Sequence, residues 1–121
     1  MPMQMRGIRG ATTVMENTKD EISKATQELL QHMVQKNNIV LDSICAIFFT
    51  VTSDLNANFP ATAARELGWV SIPFLCSTEI PVPGSLAKCI RILILLNTDQ
   101  EQAEIHHIYL NNAQKLRPDL Q

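Results

Sequence analysis

One arginine stands where a permanent charge is not expected. Arg91 lies within Cys-Ile-Arg-Ile-Leu-Ile-Leu-Leu, the most apolar stretch of the chain. Burying a guanidinium without a partner is very costly. One interpretation is an edge strand, from which the guanidinium reaches water along its apolar stem. The other is a charge held for an anion, or for negative charge that develops during a reaction. The sequence leaves both open.

A second arginine, Arg9, lies between Gly7 and Gly10, and glycines allow a ligand or another backbone to come close. These glycines do not have the spacing of a Walker loop or a dinucleotide-binding fingerprint, so they favour a turn or bulge over a phosphate site. Arg117, directly before Pro118, is by default a solvated charge near the end of the chain.

Few other side chains could take part in chemistry. Glu79 precedes a Pro-rich turn, a position from which side chains often project into pockets. Tyr109 is the single tyrosine, and Cys76 has no histidine arranged to activate a thiolate. The adjacent His106 and His107 point apart, so they make a poor metal site. Together with the arginines, these residues could line an anion-binding cleft. A reaction that needs only positioning and electrostatics fits them better than redox, phosphoryl-transfer or metal-hydrolase chemistry.

Composition limits the class of protein and the cellular compartment in which such a cleft would occur. The 121 residues are 45% hydrophobic and 18% charged with a net charge of -2, which predicts one globular domain over 1–121 and no nucleic-acid partner. Three cysteines without C-x-x-C spacing favour a reducing compartment over disulfides or zinc. No signal peptide or apolar stretch of membrane-spanning length is present, so we expect a cytoplasmic protein without membrane contact. In so short a chain, a solvent-excluding site would draw a wall from a second subunit.

The elements that must position these residues follow from the pattern of the chain. Thr18 caps a helix that runs to about Lys36, Glu21 is placed to complete a capping box, and Asn37 and Asn38 end the helix. The predicted strands are 6–14, 44–52, 70–76, 89–97 and 108–116, and the predicted short helices are 61–67, with Pro60 in its first turn, and 100–106. The near-continuous apolar strands indicate burial on both faces. The fold class is α+β, with a mixed α/β sheet and flanking helices.

Four blocks of sequence resemble the AroH-type chorismate mutases over almost the whole chain. They are Arg6-Gly-Ile-Arg-Gly-Ala-Thr-Thr-Val14, Phe59-Pro-Ala-Thr-Ala-Ala-Arg-Glu-Leu67, Lys88-Cys-Ile-Arg91, and Tyr109-Leu with Leu116-Arg-Pro-Asp119. The resemblance implies the AroH-like/YjgF-like fold, assembled as a pseudo-barrel homotrimer with an active site at each subunit interface. It also implies an isomerase of phenylalanine and tyrosine biosynthesis that converts chorismate to prephenate by a Claisen rearrangement, with no cofactor and no metal.

The resemblance also implies roles for individual residues. Arg9 would hold a substrate carboxylate, and Arg91 would reach the ether oxygen on which negative charge grows. Glu79 would bond the ring hydroxyl together with the Cys76 region. The remaining expected substrate contacts are Tyr109 bordering the site, Leu75 beside it, Phe59 and Ala61 as an apolar wall from the adjacent chain, and Arg65 and Arg117 as supporting contacts.

Several features depart from the family pattern. Around Leu67-Gly-Trp69 the chain is one residue shorter than some relatives, and Phe74-Leu75 is bulkier than expected beside the site. Thr62 stands where the family often has a lysine near the substrate entrance, and the chain ends at Gln121, soon after Arg117. Fold does not fix chemistry, so two alternatives stay open. One is a non-catalytic trimeric module that binds a small metabolite, and the other is an imine hydrolase of the YjgF type.

Overall fold

The fold is built around one long helix and a twisted sheet, which a computed structural model describes for residues 3–118. The strands are β1 (Gln4–Thr13), β2 (Ile44–Val51), β3 (Phe74–Thr78), β4 (Cys89–Thr98) and β5 (Ile108–Tyr109); the helices are α1 (Lys19–Lys36) and α2 (Pro60–Glu66). Single turns of 3-10 helix cover Leu41–Ser43 and Gln102–Glu104, and a longer one covers Asn111–Leu116. The block ending at Asp119 and the chain end at Gln121 extend outside the described residues.

The sheet has the strand order β3-β2-β4-β1-β5. The central strand, β4, runs antiparallel to both β1 and β2. The short outer strands run parallel to their neighbours, β3 to β2 and β5 to β1. The predicted mixed sheet with flanking helices is therefore confirmed.

Helix α1 begins and ends at the predicted residues. The Thr18 hydroxyl accepts a hydrogen bond from the backbone N–H of Glu21 at 3.1 Å, and Asn37 is the C-cap. The predicted return bond of the capping box is not made, because the Thr18 N–H donates to the Glu16 carbonyl at 3.0 Å instead. The stripe Ile22, Thr26, Leu29, Leu30 and Met33 is buried.

Alternate residues of β4 face two different environments. Ile90, Ile92, Ile94 and Leu96 are buried in the main core with side chains of α1 and α2. Arg91 and the residues at alternating positions after it point to the other side, where 3-10 helix Asn111–Leu116 covers only part of the sheet. The prediction that the strands are buried on both faces is therefore wrong for the chain by itself, since α1 and α2 pack on the same face.

Two predicted strands are shorter than expected. β3 begins at Phe74 rather than at residue 70, because Val70 donates to the Gly68 carbonyl in a turn and Pro73 has no N–H to give to a ladder. The last strand stops at Tyr109. Asn111 has a φ of 55°, a left-handed conformation that asparagine tolerates, and this turns the chain into a 3-10 helix. The predicted helix 100–106 is a single 3-10 turn.

Gly10 allows α1 to pack closely on β1. A Cβ at this position would lie 2.5 Å from Met33 Sδ and 3.1 Å from Leu29 Cδ1, and both of those side chains are fully buried. At Gly7, on the same strand, the nearest atom would be Leu93 Cδ1 at an ordinary 3.4 Å.

We expect Gly10→Ala to be less stable than the matched control Gly7→Ala by about 1–2 kcal/mol in free energy of unfolding, because only the first overpacks the core. Both changes reduce the entropy of the unfolded chain equally. The difference between the two free energies of unfolding therefore measures the cost of the close contact at Gly10 alone. Denaturant unfolding of the two variants at one protein concentration measures it, and equal stabilities would contradict this account of the packing.

Candidate active site

Arg91 is the centre of the site, and its place in the sheet rules out one of the two interpretations given above. It lies on the central strand β4, directly opposite Ala11 of β1 and Thr50 of β2. It is therefore not an edge-strand residue. Its side chain is 46% exposed on the face away from α1 and α2 and forms an ion pair there. The apolar stretch thus buries its isoleucines on one face and presents the guanidinium on the other.

The ion-pair partner of Arg91 is Glu79. Arg91 Nε lies 3.5 Å from Glu79 Oε2, and the Thr50 hydroxyl donates a hydrogen bond to the same oxygen. The backbone N–H of Glu79 donates to the Val51 carbonyl at 2.8 Å, which places Glu79 directly after β3. A half-exposed guanidinium and a largely covered carboxylate are therefore held side by side.

The guanidinium faces a cleft of about 370 Å³, which we call the arginine cleft. Its described lining residues are Arg9, Gly10, Ala11, Phe48, Thr50, Arg91, Ile92, Leu93, Tyr109, Leu116 and Arg117. The three arginines and the neighbouring Glu79 give this surface a net positive charge. An organic dianion with an apolar body suits such a cleft, because cationic groups and apolar walls alternate around it.

His107 connects Arg9 to the outer strand. The backbone N–H of Arg9 donates to His107 Nδ1 at 3.0 Å. This nitrogen can accept the hydrogen bond only if it carries no proton, so the imidazole is neutral. Burial, and then the positive charges of Arg9, Arg117 and His106, lower the pKa of His107 below its ordinary 6.5. The neighbouring His106 donates its backbone N–H to Asn37 Oδ1 at 2.8 Å, and this residue is exposed whereas His107 is half-buried.

The remaining expected site residues do not reach the arginine cleft within one chain. Phe59, 69% exposed, and Cys76 line a second cleft of about 470 Å³, which we call the phenylalanine cleft. The Cys76 side chain also packs against the main core. Leu75 is 60% exposed on the open face of edge strand β3.

Ala61 and Arg65 belong to α2. Ala61 is buried in the main core, where it helps to anchor the first turn of α2, directly after Phe59. The Arg65 guanidinium stacks over the Phe74 ring, 5.8 Å from its centroid, a cation–π contact at the surface. The site residues expected from the sequence are thus divided between two surfaces of the chain.

Sequence reasoning did not single out Thr50, Phe48, Leu93 or Leu116, which line the arginine cleft. Thr50 is a polar residue near the end of an apolar strand, and this signal could have marked it. Its contact with Glu79 depends on the pairing of β2 with β3, which spacing along the chain does not reveal.

The thiols and the ligand-forming side chains limit the chemistry further. Cys45, Cys76 and Cys89 are free thiols. Burial raises the pKa of the Cys89 thiol, against the opposing charge of Arg91, so this cysteine is protonated at neutral pH and a poor nucleophile. Within residues 3–118, His, Cys, Asp and Glu side chains form no group of three that could hold a metal ion. Over the same stretch, no helix is both long and apolar enough to cross a membrane.

The lowered pKa of His107 predicts a loss of stability in mild acid. Well above pH 6.5 the imidazole is neutral in both states. As the pH falls toward and below that value, the unfolded chain takes up a proton that the folded chain resists. The free energy of unfolding should therefore decrease as the pH falls from about 7 through the folded pKa. His107→Asn retains an acceptor and does not titrate, so its acid-side loss should be smaller. Denaturant unfolding across this pH range measures both proteins.

The matched control for this test is His32→Asn, which changes an exposed histidine of α1. It should follow the wild-type dependence on pH. A His107→Asn protein with the same pH dependence as wild type would disprove the assigned linkage.

Comparison with known proteins identifies the family. Residues 5–120 match the family model for chorismate mutase type I. The chain is 50% identical over 118 residues to chorismate mutase AroH of Thermus thermophilus, covering 97% of both chains. It is 44% identical over 119 residues to chorismate mutase AroH of Bacillus subtilis (strain 168), covering 98% of this chain and 94% of that one. A solved structure of a chorismate mutase from Clostridium thermocellum matches with a TM-score of 0.90 and 54% identity, over 91% of this chain and 98% of that one. With the same fold and near-complete coverage, this chain belongs to the type I chorismate mutases.

Proposed function

We propose that this protein is an isomerase that converts chorismate to prephenate, a step of phenylalanine and tyrosine biosynthesis, without a cofactor. Family membership supports the activity, and one observation of the site carries it. The Arg91 guanidinium is fixed on a central strand beside Glu79, in a cleft that holds two further arginines. This arrangement stabilises negative charge and offers no activated nucleophile.

The proposed reaction breaks the ether C–O bond of chorismate while a C–C bond forms within the same molecule. No proton is transferred and no covalent adduct with the protein forms. Negative charge grows on the ether oxygen as its bond to carbon breaks, and the Arg91 guanidinium stabilises it there. Because the interaction strengthens in the transition state, it raises kcat as well as affinity.

The other residues of the site hold the reactive conformer. Arg9 and Arg117 lie in the arginine cleft, where they would bind the two carboxylates, and Tyr109 borders it. Glu79 and the region around Cys76 would form hydrogen bonds with the ring hydroxyl. Fixing the folded conformer brings the reacting carbons together before the bond forms and removes much of the entropic part of the barrier.

The division of the site between two clefts supports a homotrimer of the pseudo-barrel type. Phe59 and Leu75 are large apolar side chains that one chain leaves exposed, and the open face of the sheet carries Phe48 as well. In the proposed trimer, the phenylalanine cleft of one chain closes the arginine cleft of the next. Phe59 then forms the apolar wall, with Ala61 buried behind it and Arg65 on the same short helix. A complete site thus exists only at an interface.

The free thiols support a reducing, cytoplasmic location, and the single sheet supports one domain over residues 1–121. Thr62 lies in the first turn of α2 next to Phe59, where it contributes no positive charge to attract a carboxylate. Neither the non-catalytic binding module nor the YjgF-type imine hydrolase is favoured by the family match.

The rearrangement is tested by mixing purified protein with chorismate alone and following its ultraviolet loss, with the product identified by acid conversion to phenylpyruvate. We expect saturable loss with prephenate as the product. Arg91→Ala should lower kcat/KM by a factor of about 10²–10³ or more, since removing a donor to a developing oxyanion costs about 3–4 kcal/mol. A value within threefold of wild type would contradict the role of Arg91.

The control for this substitution is Arg6→Ala. Arg6 is an arginine of the same sheet whose Nε donates to the Gln100 carbonyl at 3.1 Å, away from the arginine cleft. Its removal should leave kcat/KM close to wild type. No loss of chorismate above the buffer rate with the wild-type protein would refute the proposed activity itself.

The shared site is tested by mixing two inactive proteins. Phe59→Asp places a carboxylate in the proposed wall, where it would repel a dianion, and Arg91→Ala removes the cation. After dissociation and reassembly at equal amounts, about one quarter of the interfaces should combine an intact Arg91 with an intact Phe59, by random assortment around a ring. Activity should recover toward that fraction. No recovery, in mixed trimers verified by native mass spectrometry, would place both residues in a one-chain site.

A further inference from the structure

The two charged groups of the site lie at opposite ends of one loop. Glu79 follows β3, and the loop 80–88 leads from it to Cys89, the first residue of β4, two residues before Arg91. Whatever fixes the end of this loop also fixes where β4 begins. Because side chains alternate along a strand, the backbone at Lys88 and Cys89 determines the direction of Arg91.

Asp54 holds both of these backbone positions. Its two carboxylate oxygens accept from the Lys88 N–H at 3.2 and 3.0 Å. The Thr52 hydroxyl donates to Asp54 Oδ1 at 2.5 Å and accepts from the Cys89 N–H at 3.0 Å. One carboxylate therefore bonds two consecutive amides, the first directly and the second through Thr52. Asp54 is itself exposed and does not line the arginine cleft.

Lys88 needs this support because its backbone is strained. Its φ is 50°, a left-handed conformation that non-glycine residues seldom adopt and that persists only where the surroundings enforce it. Here its N–H is bonded by Asp54, its carbonyl accepts from the Val14 N–H at 3.0 Å, and its Nζ donates to the Met15 carbonyl at 3.1 Å. Hydrogen bonds to its N–H, carbonyl and Nζ groups thus hold Lys88 in place at the turn into β4.

We propose that Asp54 is a positioning residue for the rearrangement, acting through Lys88, Thr52 and Cys89 to aim Arg91 at the ether oxygen. This role depends on the proposed function of the cleft. Without the carboxylate, Lys88 relaxes toward an ordinary conformation and the start of β4 rotates. The guanidinium then occupies a wider range of positions around Glu79, which weakens an interaction that matters most in the transition state.

The first test is the steady-state kinetics of Asp54→Ala, with Asp42→Ala as the matched control. Asp42 is also exposed and lies in the 3-10 turn before β2. We expect Asp54→Ala to lower kcat about tenfold or more while KM changes less than about threefold, as for lost alignment rather than lost binding. Asp54→Asn, whose amide oxygen can still accept one bond, should be intermediate. Wild-type kcat in Asp54→Ala would overturn the proposal.

A double-mutant cycle separates positioning from general destabilisation. If Asp54 acts through Arg91, the effect of Asp54→Ala on kcat should shrink to less than about threefold when Arg91→Lys is already present, because coupled residues are not additive. If Asp54→Ala lowered kcat by the same factor with and without Arg91→Lys, action through Arg91 would be contradicted. Should Asp54→Ala fail to fold by circular dichroism, Asp54→Asn and Thr52→Val take its place in the same cycle.

Amide hydrogen exchange tests the structural half of the role without any substrate. In Asp54→Ala the amides of Lys88 and Cys89 should exchange at least about tenfold faster than in wild type, while those of α1 stay protected. Unchanged exchange would overturn the proposal even if activity fell. If wild-type protein does not act on chorismate, the proposed function fails and the catalytic role of Asp54 fails with it, whereas exchange still reports whether its carboxylate holds the turn.

Discussion

The pairing of Arg91 with Glu79 is the constraint on which the site depends. A guanidinium on the middle strand of a sheet is stable only if one face is left without helices and an anion lies nearby. The chain meets the first condition by packing α1 and α2 on the same face. It meets the second by placing Glu79 directly after β3, where Thr50 also contacts its carboxylate. Because Arg91 is about half exposed, this pair adds little stability, and its value is in orientation.

In the proposed trimer, the arginine cleft of one chain and the phenylalanine cleft of the next form two complementary halves of the site. The first supplies cations and hydrogen-bond donors, and the second supplies an exposed aromatic ring on a short helix. A cleft left open to water on one side would screen its charges, whereas an apolar wall lowers the local dielectric and strengthens each electrostatic contact. The proposed trimer therefore links assembly to catalysis: the wall that excludes water is also the contact that holds neighbouring chains together.

Local signals predicted much of this molecule. The Thr18 cap, the stripe of α1, the Pro60 start of α2 and the charge of Arg91 in an apolar strand are all visible within a few residues of sequence. The Thr50 contact with Glu79, by contrast, joins residues 29 apart, and Thr50 opposes Arg91 across a register that only the folded sheet defines. The early end of β5, by contrast, could have been predicted, because Asn111 tolerates a left-handed conformation and the residues that follow it, Asn112, Ala113, Gln114 and Lys115, are poor strand formers.

The alternation along β4 points successive side chains to the main core and to the opposite face of the sheet. Its isoleucines belong to the main core, whereas Arg91 and Leu93, in the alternating positions, line the arginine cleft. Evolution can therefore alter the shape or charge of the cleft at every second position without disturbing the hydrophobic packing behind it. A shift of one residue in pairing would exchange the two sets, burying the guanidinium and exposing the isoleucines. The packing that keeps this strand folded thus also protects its reactive face from register errors.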